Sequence, residues 1–128
     1  MIFLCDYYNQ ASKDLAYSLQ AAGYDATTVV INPDGFLPQG ALSPFTYYVE
    51  AAEETGKPRF FNQVPVPAFW EISGNNQMAR VSNLTEERAR ITYPEGSKAR
   101  IVKSVEWLDK AGKVRQVDHY NKYGFCFA

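Results

Sequence analysis

The chain has 128 residues and a formal net charge of -1. This length fits one domain of ordinary size, and the near-neutral charge gives no overall electrostatic reason to bind nucleic acid or anionic lipid. Cys5 and Cys126 lie far apart and outside any Cys-x-x-Cys spacing, so neither a zinc site nor a disulfide framework is indicated. A reducing compartment is the simpler assumption.

The first third of the chain reads as strand, helix, strand. Ile2–Cys5 is a short apolar run typical of a strand covered on both faces, and Asp6 interrupts it too early for a signal peptide or membrane span. A helix is predicted from Asn9 or Ser12, with Gly23 after its end and an apolar stripe of Leu15, Leu19 and Ala22. The β-branched run Thr27–Ile31 predicts the second strand of a βαβ unit.

The next segment predicts a turn, a short helix and the boundary between an α/β region and a β-rich region. Residues 33–35 form a turn, and Ser43 followed by Pro44 predicts the start of a helix that reaches Ala52. The boundary lies at Gly56-Lys57-Pro58. We therefore predict two regions: residues 1–57, the start of a Rossmann-type lobe, and residues 58–128, an antiparallel sheet.

The second region alternates short strands with turn signals, so the predicted fold class is α+β with an antiparallel β-meander. A loop at Gly74-Asn75-Asn76 is predicted because Gly and Asn tolerate positive φ, and Asp109–Gly112 suits a type I turn with a bulge. The predicted strands are Phe69–Ser73, Gln77–Ser82, Ala89–Tyr93, Arg100–Leu108, Lys113–Tyr120 and a return from Phe125.

Strict alternation along Arg100–Leu108 places apolar residues on both faces of this strand. Such a sheet requires cover on both sides, from the α/β unit, from further sequence or from another subunit. An open last strand could also mediate self-association. The basic residues between Arg80 and Lys103 are interleaved with Glu86, Glu87 and Glu95, which favours a solvated sheet face over a polyanion site.

No catalytic or cofactor signature is apparent. The loop Asp6–Asn9 after the first strand has no glycine, which argues against a dinucleotide or phosphate-binding loop. Asp6, Tyr7 and Asn9 could meet a polar substrate at this strand end, but helix capping is the favoured role. His119, the single histidine, is predicted to lie in a solvent-facing row with Lys113, Arg115 and Val117, so a catalytic role is not favoured. We expect neither a cofactor nor a metal.

Three long segments carry a family resemblance: Asn32–Leu37, Ser43–Tyr48 and Phe60–Ile72, continued by Lys103–Asp109 and Tyr120–Ala128. In these segments the chain resembles the start of the accessory-Sec glycosylation chaperones. These are the stabilising B subunits of the two-part transferase that puts N-acetylglucosamine on serine-rich repeat adhesins. The resemblance covers essentially all 128 residues.

The resemblance implies two Rossmann-type lobes with an extended β-sheet domain inserted in the first. It further implies a non-catalytic subunit that stabilises a catalytic A subunit and holds the unfolded serine-rich acceptor. It implies a cytoplasmic location, on or near the inner face of the cell membrane. The aromatic residues expected to anchor partner or acceptor, with core packing as the alternative for each, are Phe69, Trp70, Tyr93, Trp107 and Tyr120.

Two other functions stay open at the level of sequence. One is a catalytic glycosyltransferase of the two-lobed type whose donor site lies in sequence outside these residues. The other is an independent β-rich module that binds carbohydrate and needs no protein partner.

Overall fold

A computed structural model describes residues 1–38, 40–47, 56–95 and 99–128 of the chain. The N-terminal unit contains strand β1 (Ile2–Cys5), helix α1 (Gln10–Ala21) and strand β2 (Thr27–Val30). The two strands pair in parallel, with Ile2 opposite Thr27 and Cys5 opposite Val30. The predicted βαβ unit is therefore confirmed, and a parallel bridge from Val29 to Leu42 extends the small sheet by one more position.

Local capping sets the limits of α1. The Asn9 side chain accepts a hydrogen bond from the Ser12 backbone N–H at 3.0 Å, which satisfies one of the free donors of the first turn. At the other end, Gly23 adopts φ +90°, and the Tyr24 N–H donates back to the Leu19 carbonyl. The capping role favoured for Asn9 is confirmed.

The apolar stripe predicted for α1 is only partly covered by the described residues. None of the helix residues is buried, and Leu15 is 52% exposed. On β1, Ile2 is 70% and Leu4 60% exposed. A parallel sheet is normally covered on both faces, so this unit presents apolar surface that its described neighbours leave open.

The second helix, α2, begins at Pro44 as predicted and is described as far as Tyr47. The Ser43 hydroxyl accepts a hydrogen bond from the Phe45 N–H at 3.3 Å, which is the capping interaction expected before a proline at the first helical position. The remainder of the predicted helix, up to Ala52, lies outside the described residues.

The second region is a five-stranded antiparallel meander in the order β3-β4-β5-β6-β7. The predicted elements are present, with boundaries shifted by at most four residues, and a short 3-10 helix at Phe61–Gln63 precedes them. The strands are β3 (Glu71–Gly74), β4 (Met78–Ser82), β5 (Glu87–Thr92), β6 (Ser104–Leu108) and β7 (Val114–His119).

The prediction that apolar residues occupy both faces of the last strands is wrong, because the run from Arg100 to Leu108 is not one continuous strand. Arg100 has φ +55°, and the chain bends at Lys103 before β6 begins. Val102 and Val105 therefore reach the same core cluster although strict alternation would place them on opposite faces. The sheet has one apolar face, which carries Ala79, Val81, Ala89, Ile91 and Val105.

The hairpin loops form where predicted, but one forms for a different reason. Gly112 has φ +81° and its N–H donates to the Asp109 carbonyl, as the predicted turn with a bulge requires. The loop after β3 contains no positive φ at Gly74 or Asn75. Instead, the Asn75 side chain accepts hydrogen bonds from the N–H groups of Gln77 and Met78.

The C-terminal residues return beside β7. The His119 N–H donates to the Ala128 carbonyl and its own carbonyl accepts from the Phe127 N–H. The predicted return strand is present as this short pairing and a bridge between Tyr120 and Cys126. His119 is consequently half-buried, with its ring 6.4 Å from that of Phe127, so the prediction of a solvent-facing position is wrong for this residue.

The two regions are joined by a close backbone contact at Gly35. A parallel bridge links Gly35 to Asn121, and the Lys122 N–H donates to the Gly35 carbonyl at 2.9 Å. A Cβ at Gly35 would overlap the Asn121 Cα and the Tyr120 carbonyl oxygen. Glycine is required here because the two backbones approach too closely for any side chain.

Candidate partner-contact surface

The chain itself covers the apolar face of the sheet. Val64 is 4% exposed and belongs to the core cluster, and Phe61 and Val66 pack against that cluster. The segment between the 3-10 helix and β3 is therefore the lid of this core, and its two prolines, Pro65 and Pro67, place no demand on the sheet ladder. Within the sheet region, the apolar face is therefore accessible only at the rim of this lid.

Two of the five predicted anchor residues are core residues in this structure. Tyr93 is 8% exposed and Tyr120 is 6% exposed, and both belong to the main core cluster. Burial raises the pKa of both phenols, and the Arg59 guanidinium lies 5.6 Å from the centre of the Tyr120 ring. Packing is their observed role, and direct contact with a partner stays a prediction for them.

Phe69 is in the opposite situation, with 92% of its surface exposed. The Trp70 N–H donates to the Pro67 carbonyl at 3.3 Å, so Phe69 is the third residue of a turn. Its φ of +70° is a left-handed conformation that costs a non-glycine residue about 1–2 kcal/mol. Costly backbone conformations cluster at functional sites, and an exposed ring gains nothing from core packing to offset this one.

Trp70 and Trp107 lie half-buried at the edge of the same core. The Arg88 guanidinium lies 5.5 Å from the Trp70 ring centre, and Arg88 immediately precedes Ala89, which pairs across the sheet with Trp107. The structure thus brings both predicted tryptophans to one end of the sheet, and Phe69 immediately precedes the first of them, Trp70, in the chain. We call this group the aromatic end: Phe69, Trp70, Arg88 and Trp107.

Polar contacts hold Trp107 in place. Its indole Nε1 donates to Asp118 Oδ2 at 2.8 Å, while Asp118 Oδ1 accepts from Gln116 Nε2 at 2.7 Å. A pinned indole loses little side-chain entropy when a partner binds, which suits a contact residue. The aromatic end therefore combines one exposed ring with two oriented ones.

The opposite face of the sheet is polar. Arg80 and Arg90 face each other across β4 and β5, and the Glu87 carboxylate lies 3.6 Å from the first and 3.2 Å from the second. Arg88, at the aromatic end, pairs with Glu86 at 3.3 Å. The interpretation of these basic residues as a solvated face with interleaved glutamates is confirmed for this part of the strip.

Two of the residues named at the end of the first strand, Asp6 and Asn9, lie in the loop before α1, where the Asp6 carbonyl accepts hydrogen bonds from Asn32.

The N-terminal unit also has a group of surface residues that the sequence reasoning missed. The missed residues are Lys13, Tyr17 and Gln20, which follow one flank of α1 at the spacing i, i+4 and i+7, and Tyr24, which lies beyond the end of the helix. The helical spacing is a signal that would have found the first three.

In the described ranges, no three His, Cys, Asp or Glu side chains converge as metal ligands would, and both cysteines are free thiols. The Cys126 Sγ lies 3.7 Å from the Ala128 carbonyl, and burial raises the pKa of its thiol. Burial is also the main cause that lowers the pKa of His119. None of the described helices is both long enough and apolar enough to cross a bilayer.

The described residues combine an α+β fold, an antiparallel sheet whose apolar face the chain itself covers, and a group of aromatic side chains at one end of that sheet. Models of the GtfB N-terminal domain and the GtfB middle domain match residues 2–48 and 70–128. The chain belongs to the GtfB family.

Two relatives carry the same descriptive name, UDP-N-acetylglucosamine–peptide N-acetylglucosaminyltransferase stabilizing protein GtfB. The protein from Streptococcus gordonii is 56% identical and that from Streptococcus pneumoniae serotype 4 is 58% identical, each over all 128 residues. The chain spans 28% of the length of each.

A solved structure of the GtfA/B complex bound to UDP and GlcNAc contains a chain that is 55% identical. It superposes with a TM-score of 0.81 over 98% of this chain and 28% of its own length. An accessory secretory protein complex from S. pneumoniae aligns with a TM-score of 0.60 at 9% identity, which shows a shared fold alone.

Proposed function

We propose that this chain belongs to a non-catalytic subunit that stabilises a protein N-acetylglucosaminyltransferase. The observation that carries the proposal is the sequence identity to two proteins named as stabilizing proteins of such a transferase. The identity is 56% to one and 58% to the other, in alignments that span all 128 residues of the chain. The glycine-free loop after β1 also supports it, because a donor diphosphate is usually held by backbone N–H groups in a glycine-rich turn.

The proposal includes a second role, which is to hold the unfolded, serine-rich acceptor polypeptide during transfer. An unfolded polypeptide has no shape of its own to recognise, so a holding subunit needs an extended surface with aromatic and hydrogen-bonding groups. The chain has exposed aromatic side chains in both regions, Tyr17 at 74% and Phe69 at 92% among them. The proposed site of action is the cytoplasm, on or near the inner face of the membrane.

For contact with the catalytic subunit we assign the aromatic end of the sheet. Interfaces concentrate their binding energy in Trp, Tyr and Arg side chains, and this group holds two tryptophans and one arginine beside the exposed Phe69. The opposite face of the sheet is polar and charged, as the surroundings of a transient or regulated interface usually are.

Binding of the catalytic subunit to three variants tests this assignment. Phe69→Ala removes the ring, Phe69→Gly removes the ring and the left-handed backbone cost, and Tyr7→Ala is the matched control because Tyr7 is 63% exposed on the other region. Both Phe69 variants should weaken binding at least tenfold, while Phe69→Gly should be no less stable than Phe69→Ala. Wild-type affinity in both would refute the assigned surface.

The two alternative functions give different results in the same set of proteins. Release of labelled N-acetylglucosamine from the sugar nucleotide by the full-length protein alone would establish a catalytic glycosyltransferase and refute the proposal. Binding to free glycans, without binding to the catalytic subunit or to unglycosylated serine-rich peptide, would establish a carbohydrate-binding module.

A further inference from the structure

One hollow lies along a flank of α1, and a second touches the helix at Lys13; the two share Tyr8 and Lys13. The first, of about 400 Å³, continues along the helix past Tyr17 and Gln20 to Tyr24 and Asp25. The second, of about 290 Å³, continues in the other direction between the two regions, past Asp34 and Phe36 to Glu95 and Lys103. The two hollows adjoin at Tyr8 and Lys13, and together we call them the α1 trough.

The trough has the length of an extended peptide segment. Its first half follows α1 from Lys13 to Gln20, which is about 11 Å at 1.5 Å per residue. An extended chain advances about 3.3 Å per residue, so this part of the helix flank alone accommodates about three residues. The second half adds further length toward the sheet region.

The charges of the trough are mixed and form no ion pairs with one another. It contains two lysines, Lys13 and Lys103, and three carboxylates, Asp25, Asp34 and Glu95. Every ion pair of the described ranges instead joins arginines and glutamates of the sheet region. A trough with one more carboxylate than ammonium group is a poor site for a diphosphate, whereas it supplies both donors and acceptors to neutral hydroxyl and peptide groups.

The aromatic groups of the trough complete this chemistry. Tyr17 is 74% exposed, Tyr24 is 52% exposed, and the Lys13 ammonium lies 5.4 Å from the Tyr8 ring centre. Tyrosine rings supply apolar contact area and a hydroxyl for hydrogen bonding at little entropic cost. The second half also lies beyond the carboxyl ends of β1 and β2, where α/β sheets commonly bind ligands.

We propose that the α1 trough holds an extended, neutral polypeptide rich in serine and threonine. This inference rests on the proposed acceptor-holding function and assigns its location. The lysines and carboxylates bind hydroxyl and backbone groups of the polypeptide, and the tyrosine rings pack against its Cβ atoms. The trough is separate from the aromatic end of the sheet, so acceptor and catalytic subunit occupy different surfaces.

Fluorescence anisotropy of a labelled peptide of about twelve serine, threonine and alanine residues tests the proposal with the 128-residue chain. The double variant Lys13→Ser/Tyr17→Ala and the single variant Lys103→Glu should each weaken binding at least tenfold. The matched controls are Leu84→Ala and Lys110→Ser, whose side chains are exposed and do not line the trough. Circular dichroism checks that all variants fold.

The outcomes separate this inference from the proposed function. If the wild-type chain binds the peptide and the trough variants bind equally well, the location is refuted while acceptor holding stands. If the wild-type chain does not bind the peptide, the acceptor role of this chain and its location both fall, while binding of the catalytic subunit is unaffected. Displacement of the peptide by free N-acetylglucosamine or UDP-N-acetylglucosamine would overturn a polypeptide as the occupant.

Discussion

The contact at Gly35 provides a sharp test of how the two regions are joined. In Gly35→Ala, the added methyl group overlaps the Asn121 Cα and the Tyr120 carbonyl oxygen and lies 2.7 Å from the Phe127 ring. Two of these three obstacles are backbone atoms, so a side-chain rotation cannot relieve the overlap. The backbones of the two regions must move apart.

The expected cost follows from three contributions. Overpacking at a tight site costs about 1–3 kcal/mol, and displacing the backbone weakens the 2.9 Å hydrogen bond from Lys122 N–H to the Gly35 carbonyl, worth about 1 kcal/mol. Alanine recovers about 0.4–1 kcal/mol because it restricts the unfolded chain. The net loss in the free energy of unfolding is about 2 kcal/mol.

Gly112→Ala is the matched control. Gly112 has φ +81°, but a methyl group added there would meet no atom within 4 Å, so only the left-handed backbone cost applies. After the same gain from the unfolded state, we expect a loss of about 1 kcal/mol or less. Urea unfolding measures both losses, and hydrogen exchange at the Lys122 amide reports the joint itself. Equal destabilisation by both substitutions would refute the steric argument.

Three further predictions concern the sheet region. Ile91→Ala should lower the free energy of unfolding by about 2–5 kcal/mol because Ile91 is fully buried. Val117→Ala, at a residue on the surface, should change it by about 0.5 kcal/mol or less. Comparable urea midpoints for the two variants would contradict this prediction. Asp118→Ala removes the acceptor of the Trp107 indole N–H. The free energy of unfolding should fall by about 1 kcal/mol, and the tryptophan fluorescence emission should change. An unchanged emission spectrum would contradict the hydrogen bond. Burial holds the pKa of His119 below its ordinary 6.5. The stability that neutral His119 contributes is therefore present above pH 6.5 and is lost as the pH falls through the folded-state pKa. The urea midpoint of His119→Gln should fall less on acidification than that of the wild type, and parallel pH profiles of the two proteins would count against this effect.

Local signals in the sequence were sufficient for most elements. Asn9 before a helical pattern, Ser43-Pro44 at a helix start and Asp109–Gly112 between two alternating runs each act through hydrogen bonds to residues a few positions away. Such interactions need no tertiary partner, so they can be read from a short window. The family resemblance likewise depended on long segments of consecutive residues.

The role of each aromatic residue could not be read in this way. Tyr93 and Tyr120 share the residue type and strand context of contact residues, yet they are buried, while Phe69 is exposed in a turn. The difference depends on the lid segment around Val64, which lies far from Tyr120 in the chain. Residue type predicts that an aromatic side chain contributes strongly to a contact, and only packing decides whether that contact lies in the core or at the surface.

The strands along the chain, the positions of the turns and the family resemblance followed from the linear chain, because each depends on neighbours in sequence. The three-dimensional structure alone decided the order of the strands in the sheet, the single apolar face of that sheet, the close contact of Gly35 with Asn121, and the two adjoining hollows between Tyr24 and Lys103. These features arise where segments dozens of residues apart meet. A bend at Lys103 changes which face a side chain occupies, and no local pattern records where such distant surfaces will touch.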